Sequence, residues 1–261
     1  MQAGFLDLNQ PTEEVKKIYK YINVHIHQWG MEIELNRPEK LNSLTTEMVH
    51  ELYDVLQIVS IKPDSIILLT GSGTSFCTGQ DVKESPPSNP VELSEYVNKM
   101  QRITELIVSY PYPVVAKVQG YALGAGCELA LNADLIYATE DAVFGFPELK
   151  VGLSITQGSS YLLPRLIGIP KAKEWIYFSK IIQAKEMFDL HVVNELFTEE
   201  NIDQEVDRRL NDLYKIDKDS LGSIKKLFHF GLEHSMQEVL VKEQREIKRL
   251  LLNIQEGEKH V

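Results

Sequence analysis

The sequence predicts an α/β fold, a layered strand-and-helix core that gives way to a helical C-terminal part. Short apolar runs with strand character alternate with segments of helical apolar spacing, at intervals of roughly thirty to fifty residues. Beyond about residue 195 only helical spacing remains. These two observations divide the chain into a core at 1–195 and a helical subdomain at 196–261, with no internal repeats or low-complexity tracts.

In chain order, Val24 to Leu35 alternates apolar and polar residues, which predicts a hairpin turning near Gly30. His25 and His27 share one face of its first strand and are expected to be solvated rather than metal-bound. A polar loop from Asn36 follows, and Thr45 or Thr46 caps a helix carrying Met48, Leu52, Val55 and Leu56. Ser65 to Thr70 reads as a short buried strand ended by Gly71-Ser-Gly-Thr, with a second turn cluster at Phe76-Cys-Thr-Gly-Gln-Asp81. Glu84 to Pro90 is the one Pro/Ser-rich stretch and predicts a surface loop.

From Val91 the positions Leu93, Val97, Met100, Ile103 and Ile107 mark an amphipathic helix, and Pro113 to Val118 another strand. Gly120 to Gly126 then leads into a helix expected to run through Leu129, Leu131 and Leu135. Residues 200–214, 220–231 and 235–254 all have helical spacing. The leucine-bearing stripe of the last helix suggests subunit association.

Composition narrows the function classes. A net charge of −11 over 261 residues argues against nucleic acid as the main partner, because phosphate backbones demand a basic face. Two cysteines, Cys77 and Cys127, imply no disulfide framework and are expected to pack as small apolar residues. Residues 1–10 lack the pattern of a secretory leader, and no apolar stretch reaches the ~18 residues of a membrane span. A cytoplasmic protein is the expectation.

The most informative residues are two glutamates in glycine-rich turns. Glu128 ends Gly120-Tyr-Ala-Leu-Gly-Ala-Gly-Cys-Glu128, and Glu148 lies in Val143-Phe-Gly-Phe-Pro-Glu148. Paired carboxylates in different backbone settings can divide acid and base work, since each setting tunes its own pKa. The Ala125 amide falls where strand passes into helix, and small neighbours let a ligand approach the main chain. Gly79-Gln80 offers a second amide in a similar turn. Two such donors aimed at one carbonyl oxygen form an oxyanion hole, worth on the order of 3 kcal/mol per donor.

These residues sit in four motifs that, in order, resemble those of the crotonase (enoyl-CoA hydratase/isomerase) superfamily. Leu35-Asn-Arg-Pro-Glu-Lys-Leu-Asn-Ser-Leu44 resembles its N-terminal signature, and Ser75 to Asp81 its first oxyanion loop. Pro113 to Glu128 is similar to the second loop with the first catalytic glutamate. Phe144 to Glu148, followed by Leu162 to Gly168, resembles the second glutamate region. The likeness extends over roughly residues 20–255. Motifs for phosphate loops, dinucleotide turns, zinc proteases and serine hydrolase elbows are absent from the sequence.

The resemblance implies a spiral of ββα units with a helical C-terminal part, assembled as a trimer or a dimer of trimers. It implies an acyl thioester substrate carrying coenzyme A, with no prosthetic group and no metal. The thioester oxygen would accept from the Gln80 and Ala125 amides. Glu128 would activate water for attack at the β-carbon, and Glu148 would exchange the proton at the α-carbon. Arg37, Lys40 and Lys83 are candidate phosphate contacts, with Thr78 and Asp81 beside Gln80 completing the set expected near the coenzyme.

Retention of both glutamates favours hydration. An isomerase, a specialised dehydratase or decarboxylase, and a non-catalytic thioester-binding member stay open as alternatives. Three departures from the family pattern bear on substrate choice. After Gly152, Leu153-Ser-Ile-Thr-Gln-Gly-Ser-Ser160 replaces a usual proline and several glycines, so the acyl preference is open. Phe146 replaces a common glutamine and is expected to make the wall near Glu148 bulkier. The sequence ends at Glu258-Lys-His-Val261, short of a basic, aromatic tail, which leaves an acyl carrier protein as an alternative to coenzyme A.

Overall fold

Alternation along the first apolar segments produces the predicted hairpin, β1 (Ile22–His27) against β2 (Gly30–Leu35), antiparallel with His27 opposite Gly30. The computed structural model describes residues 19–258 apart from 62, 64, 85 and 86. The expectations for a leader at 1–10, for the last three residues and for part of the Pro/Ser-rich loop therefore lie outside the described residues. Thr45 caps the next helix, its hydroxyl accepting the Met48 amide at 3.1 Å. That helix, α1 (Thr46–Ile61), buries Met48, Val49, Leu52, Val55 and Leu56 on one stripe.

β3 (Ile66–Gly71) runs parallel to β2 and is buried along its whole length. Such a strand needs cover on both faces, and its residues alternate between two cores. Ile67 and Leu69 point into the main core, with α1 and α2 (Pro90–Ser109). Ile66 and Leu68 join Val115 and Tyr137 in a smaller core on the opposite face. α7 (Ile202–Tyr214) closes that second core with Ile202, Val206 and Leu210, spaced one helical turn apart.

The chain then climbs as a spiral. β4 (Val114–Val118) extends the large sheet beside β3, and two residues later β5 (Tyr121–Leu123) starts a second, smaller sheet. Helix α3 (Ala125–Leu131) follows. The next rung repeats the step, with β6 (Leu135–Thr139) in the large sheet and β7 (Val143–Gly145) beside β5 in the small one. Earlier rungs leave single bridges in the same place, Cys77 to Ala122 and Leu44 to Gln80. Each turn of chain thus gives one strand to each sheet and then a helix or turn, the expected ββα spiral.

α3 is shorter than predicted. It ends at Leu131, and Leu135 begins β6 instead of completing the helix. The side chain of Asp134 explains the break: its Oδ2 accepts the Val114 amide at 2.8 Å and the Lys225 ammonium at 2.6 Å. Those bonds hold the turn against the start of β4 rather than letting the helix continue.

Beyond α3 the chain forms α4 (Ser159–Ile167), α5 (Ile169–Tyr177), β8 (Ile181–Gln183), α6 (Ala184–Asp189) and β9 (Glu195–Phe197). β8 pairs antiparallel to β7, and β9 closes the large sheet beside β6. After α7 come α8 (Lys218–Gly231) and α9 (Met236–Glu258). Buried Lys225 ties α8 to the core, donating to the carbonyls of Ile107 and Tyr112 as well as to Asp134. Along α9, Leu240, Val241, Ile247, Leu251 and Leu252 are exposed.

Candidate active site

The spiral brings three chain segments together at the edge of the small sheet. Segment 77–80 lies alongside β5, with the Cys77 amide donating to Tyr121 and the Leu123 amide to Cys77. Small residues make the approach this close. A Cβ on Gly126 would come within 2.2 Å of the Cys77 oxygen, and one on Gly79 within 2.6 Å of the Leu123 oxygen. Built on Gly79, that atom would also lie 3.3 Å from the Ala125 nitrogen, so the turn bearing Gln80 abuts the first residue of α3. The bridge to Leu44 uses the carbonyl of Gly79 and the amide of Asp81, which fixes the Gln80 peptide from both sides.

Glu128 stands one turn into α3 and is almost fully buried. Its carboxylate is gripped by main-chain donors: Thr156 reaches both oxygens at 3.1 Å, and Gln157 donates to Oε1 at 3.0 Å. Burial raises its pKa, and those two amides pull in the opposite direction by favouring the anion.

Glu148 opens a short 3-10 turn, Glu148–Val151, directly after β7. Both of its carboxyl oxygens are shielded from solvent with no hydrogen-bond partner among the described residues. Burial lifts its pKa to about 7, and the nearby charge of Glu128 adds to the rise. One carboxylate is therefore anchored by amides of a distant segment, while for the other only its own backbone amide opposes the effect of burial.

Both glutamates line a cleft of about 320 Å³ together with Thr78, Gly79, Gln80, Gly124 and Ala125. Its apolar wall comes from α2, through Leu93, Tyr96, Val97 and Met100, and from Val82, Val151 and Leu153. No lysine or arginine is among the lining residues.

The other sequence candidates lie elsewhere. Arg37 is buried, and its guanidinium donates to Asp81 at 2.6 Å, to Glu84 at 3.0 Å and to the Ser43 hydroxyl at 2.9 Å. Asp81 in turn accepts the amides of Lys83 and Glu84, and the Arg37 guanidinium holds its carboxyl below the usual range. Arg37 and Asp81 thus brace the loop behind Gln80. Lys40 and Lys83 are exposed outside the lining. Phe146 belongs to the main core and not to the cleft wall. His27 meets Glu32 at 3.0 Å and stacks on Trp29, away from the cleft. Burial pushes the Cys77 thiol up to about 12 and raises that of Cys127, so both are inert as nucleophiles at neutral pH.

Sequence reasoning missed Thr156 and Gln157. Their contribution to Glu128 is main-chain, and a backbone amide leaves no mark in residue type. The polar run Thr156-Gln-Gly-Ser-Ser160 before α4 is the one local signal of a turn there.

Comparison with known proteins identifies the family. A family model described as Enoyl-CoA hydratase/isomerase matches residues 28–259. The chain belongs to the enoyl-CoA hydratase/isomerase family. Among relatives in that family, the crotonyl-CoA hydratase of Syntrophomonas wolfei is 35% identical over 174 residues, 66% of this chain and 67% of that protein. The short-chain-enoyl-CoA hydratase of Clostridium acetobutylicum is 34% identical over 169 residues, 63% of this chain. That alignment spans 64% of the Clostridium protein's length. A solved enoyl-CoA hydratase structure from Geobacillus kaustophilus superposes with a TM-score of 0.83 at 31% identity. It covers 90% of this chain and 91% of its own.

Proposed function

We propose that this protein is an enoyl-CoA hydratase, adding water reversibly across the 2,3 double bond of a 2-enoyl-CoA thioester. One observation carries the reading: a carboxylate anchored by the amides of Thr156 and Gln157 and a second carboxyl with its pKa lifted to about 7 line the same cleft as the Gly79-Gln80 and Gly124-Ala125 segments. Family membership and the names of its relatives support the same activity.

The chemistry follows from the settings of the two acids. The thioester oxygen accepts from the Gln80 and Ala125 amides, which stabilises negative charge as the β-carbon is attacked. Glu128, whose anion the Thr156 and Gln157 amides favour against the effect of burial, takes a proton from water as the water oxygen bonds to the β-carbon. Glu148 enters protonated and delivers its proton to the α-carbon, so one proton passes in and one passes out. The pair then holds its single proton on Glu128 rather than on Glu148, and exchange with solvent water after product release deprotonates Glu128 and reprotonates Glu148 for the next turnover. Each carboxyl contributes on the order of 10²–10⁴ in rate. The reading requires no prosthetic group, and coenzyme A enters as part of the substrate.

Crotonyl and short-chain names among the relatives support a short acyl group, set against the α2 wall. Two buried free thiols support a reducing, cytoplasmic setting. No helix among the described residues is long and apolar enough to cross a membrane. Exposed apolar side chains along α9 support a role for the C-terminal helices in homotrimer formation.

The test is turnover of a panel of 2-enoyl-CoA thioesters, followed as loss of conjugated-enoyl absorbance, with Glu128→Gln and Glu148→Gln as controls. Both variants are expected to lose at least about 10²-fold in kcat. Absence of turnover at any chain length overturns the reading. A second reading, double-bond isomerisation by Glu148 alone, is supported by that carboxyl's pKa of about 7, which suits a two-way proton carrier. Survival of 3-enoyl isomerisation in Glu128→Gln, with hydration absent from the wild type, selects it.

A further inference from the structure

Gln157 is almost fully buried, and three of its groups are engaged at once. Its amide donates to Glu128 Oε1 at 3.0 Å. Its side chain donates through Nε2 to the Ala125 carbonyl at 3.1 Å. Its own carbonyl accepts from Asn132 Nδ2 at 3.1 Å and from the Thr104 hydroxyl at 3.3 Å. Asn132 is the C-cap of α3, and Thr104 belongs to α2. One residue therefore touches both ends of α3 and the helix that walls the cleft.

Buried polar groups are costly unless paired, so a glutamine side chain is held in such a place only by the partners it finds. The partner here is the first carbonyl of the helix whose first amide, in the proposed reaction, polarises the thioester. Fixing that carbonyl restrains the backbone of Ala125 and with it the direction of its N–H. The amide of the same glutamine simultaneously restrains the carboxylate one turn further on. Glu128→Gln or a change at Ala125 would test each half of the site, whereas the Gln157 side chain couples them.

We infer that Gln157 is a positioning residue whose side-chain amide sets the register between the polarising amide of Ala125 and the carboxylate of Glu128. This rests on the hydratase reading. The side chain itself contacts no reacting atom, and its effect passes through the Ala125 carbonyl. A replacement that keeps the main-chain bond to Glu128 but removes Nε2 should leave substrate binding intact and weaken carbonyl polarisation.

The experiment uses the full chain with Gln157→Met, which keeps volume without a donor, and Gln157→Ala. Three quantities are read: kcat and KM on the best 2-enoyl-CoA substrate, the red shift of a cinnamoyl-CoA chromophore on binding, and the melting temperature. A neutral hydrogen bond of this kind is worth up to about tenfold in rate. The expected result is a kcat about tenfold lower, KM within about twofold, and a clearly smaller red shift in both variants. Unchanged kcat overturns the inference, as does a lowered kcat with the full red shift retained. Unfolding of both variants below the assay temperature overturns it too, because the residue would then be a structural brace. Failure of the wild type to hydrate any thioester in the panel instead overturns the hydratase reading and the inference together.

Discussion

Glu148 lies directly over Gly124, such that a Cβ built on the glycine would sit 3.1 Å from Glu148 Oε1. Gly124 also has φ 54° and ψ −128°, a conformation that side-chain-bearing residues rarely adopt. The turn that aims the Ala125 amide and the space that receives the Glu148 carboxyl thus depend on the same missing methyl group. Gly124→Ala is expected to cost about 1–3 kcal/mol of stability and at least about 10²-fold in kcat. Parallel melting curves and steady-state hydration assays check both numbers.

The raised pKa of Glu148 makes a prediction about pH. The active cleft carries one proton between its two carboxyls, and loss of that proton from the free enzyme is expected near pH 7. Hydration places it on Glu148 at the start, and dehydration places it on Glu128, but the total is the same. Both kcat/KM values should therefore fall together above about pH 7, about tenfold per unit, with their ratio constant. A hydration profile that stays flat to pH 9 would refute the assignment of Glu148 as the proton donor.

The same shift is a statement about stability. Folding favours the protonated acid, so the wild type loses stability as pH rises from about 4.5 towards 7. Glu148→Gln cannot ionise and escapes that loss. Allowing for screening of this half-buried group, the variant should be about 1–2 kcal/mol more stable at pH 8 and should show no gain below pH 4.5. Denaturant titrations at both pH values measure it. A stabilised variant that has lost hydration would mark a trade of stability for function at this position.

Arg37 and Asp81 form the ion pair behind the first amide turn, with both side chains largely buried. Arg37→Met removes the cation and leaves Asp81 without its charge partner, which should cost about 3 kcal/mol. Because the guanidinium holds the Asp81 carboxyl below its ordinary range, that contribution is present above about pH 4 and disappears as pH falls through the lowered value. Melting temperatures of variant and wild type should therefore converge in acid. The loop it supports carries Gln80, so kcat should fall as well.

Much of this arrangement is legible in the sequence. Glu128, Glu148, Gly79-Gln80 and Gly124-Ala125 are recognisable because each depends on side-chain identity or on a glycine that a close approach requires. They do meet in one cleft. Leu135 is not legible in the same way, since apolar spacing continues from α3 into β6 and the break is made by Asp134 bonding to distant Val114 and Lys225. Arg37 looks like a surface cation until Asp81, 44 residues away, is folded against it. The grip of Thr156 and Gln157 on Glu128 is a main-chain contact across the fold, which no local pattern encodes.

Ala125 and Glu128 occupy the first and fourth positions of α3, a helix of seven residues. In the proposed mechanism, the group that withdraws electrons from the carbonyl and the group that deprotonates water are consequently mounted on one short, stiff rod. Helical pitch fixes the separation of the two backbone positions, which leaves only the aim of the amide and of the carboxylate to be set by Gln157. New substrate preferences can then arise by redecorating α2 and residues 153–156 without recalibrating the reactive geometry.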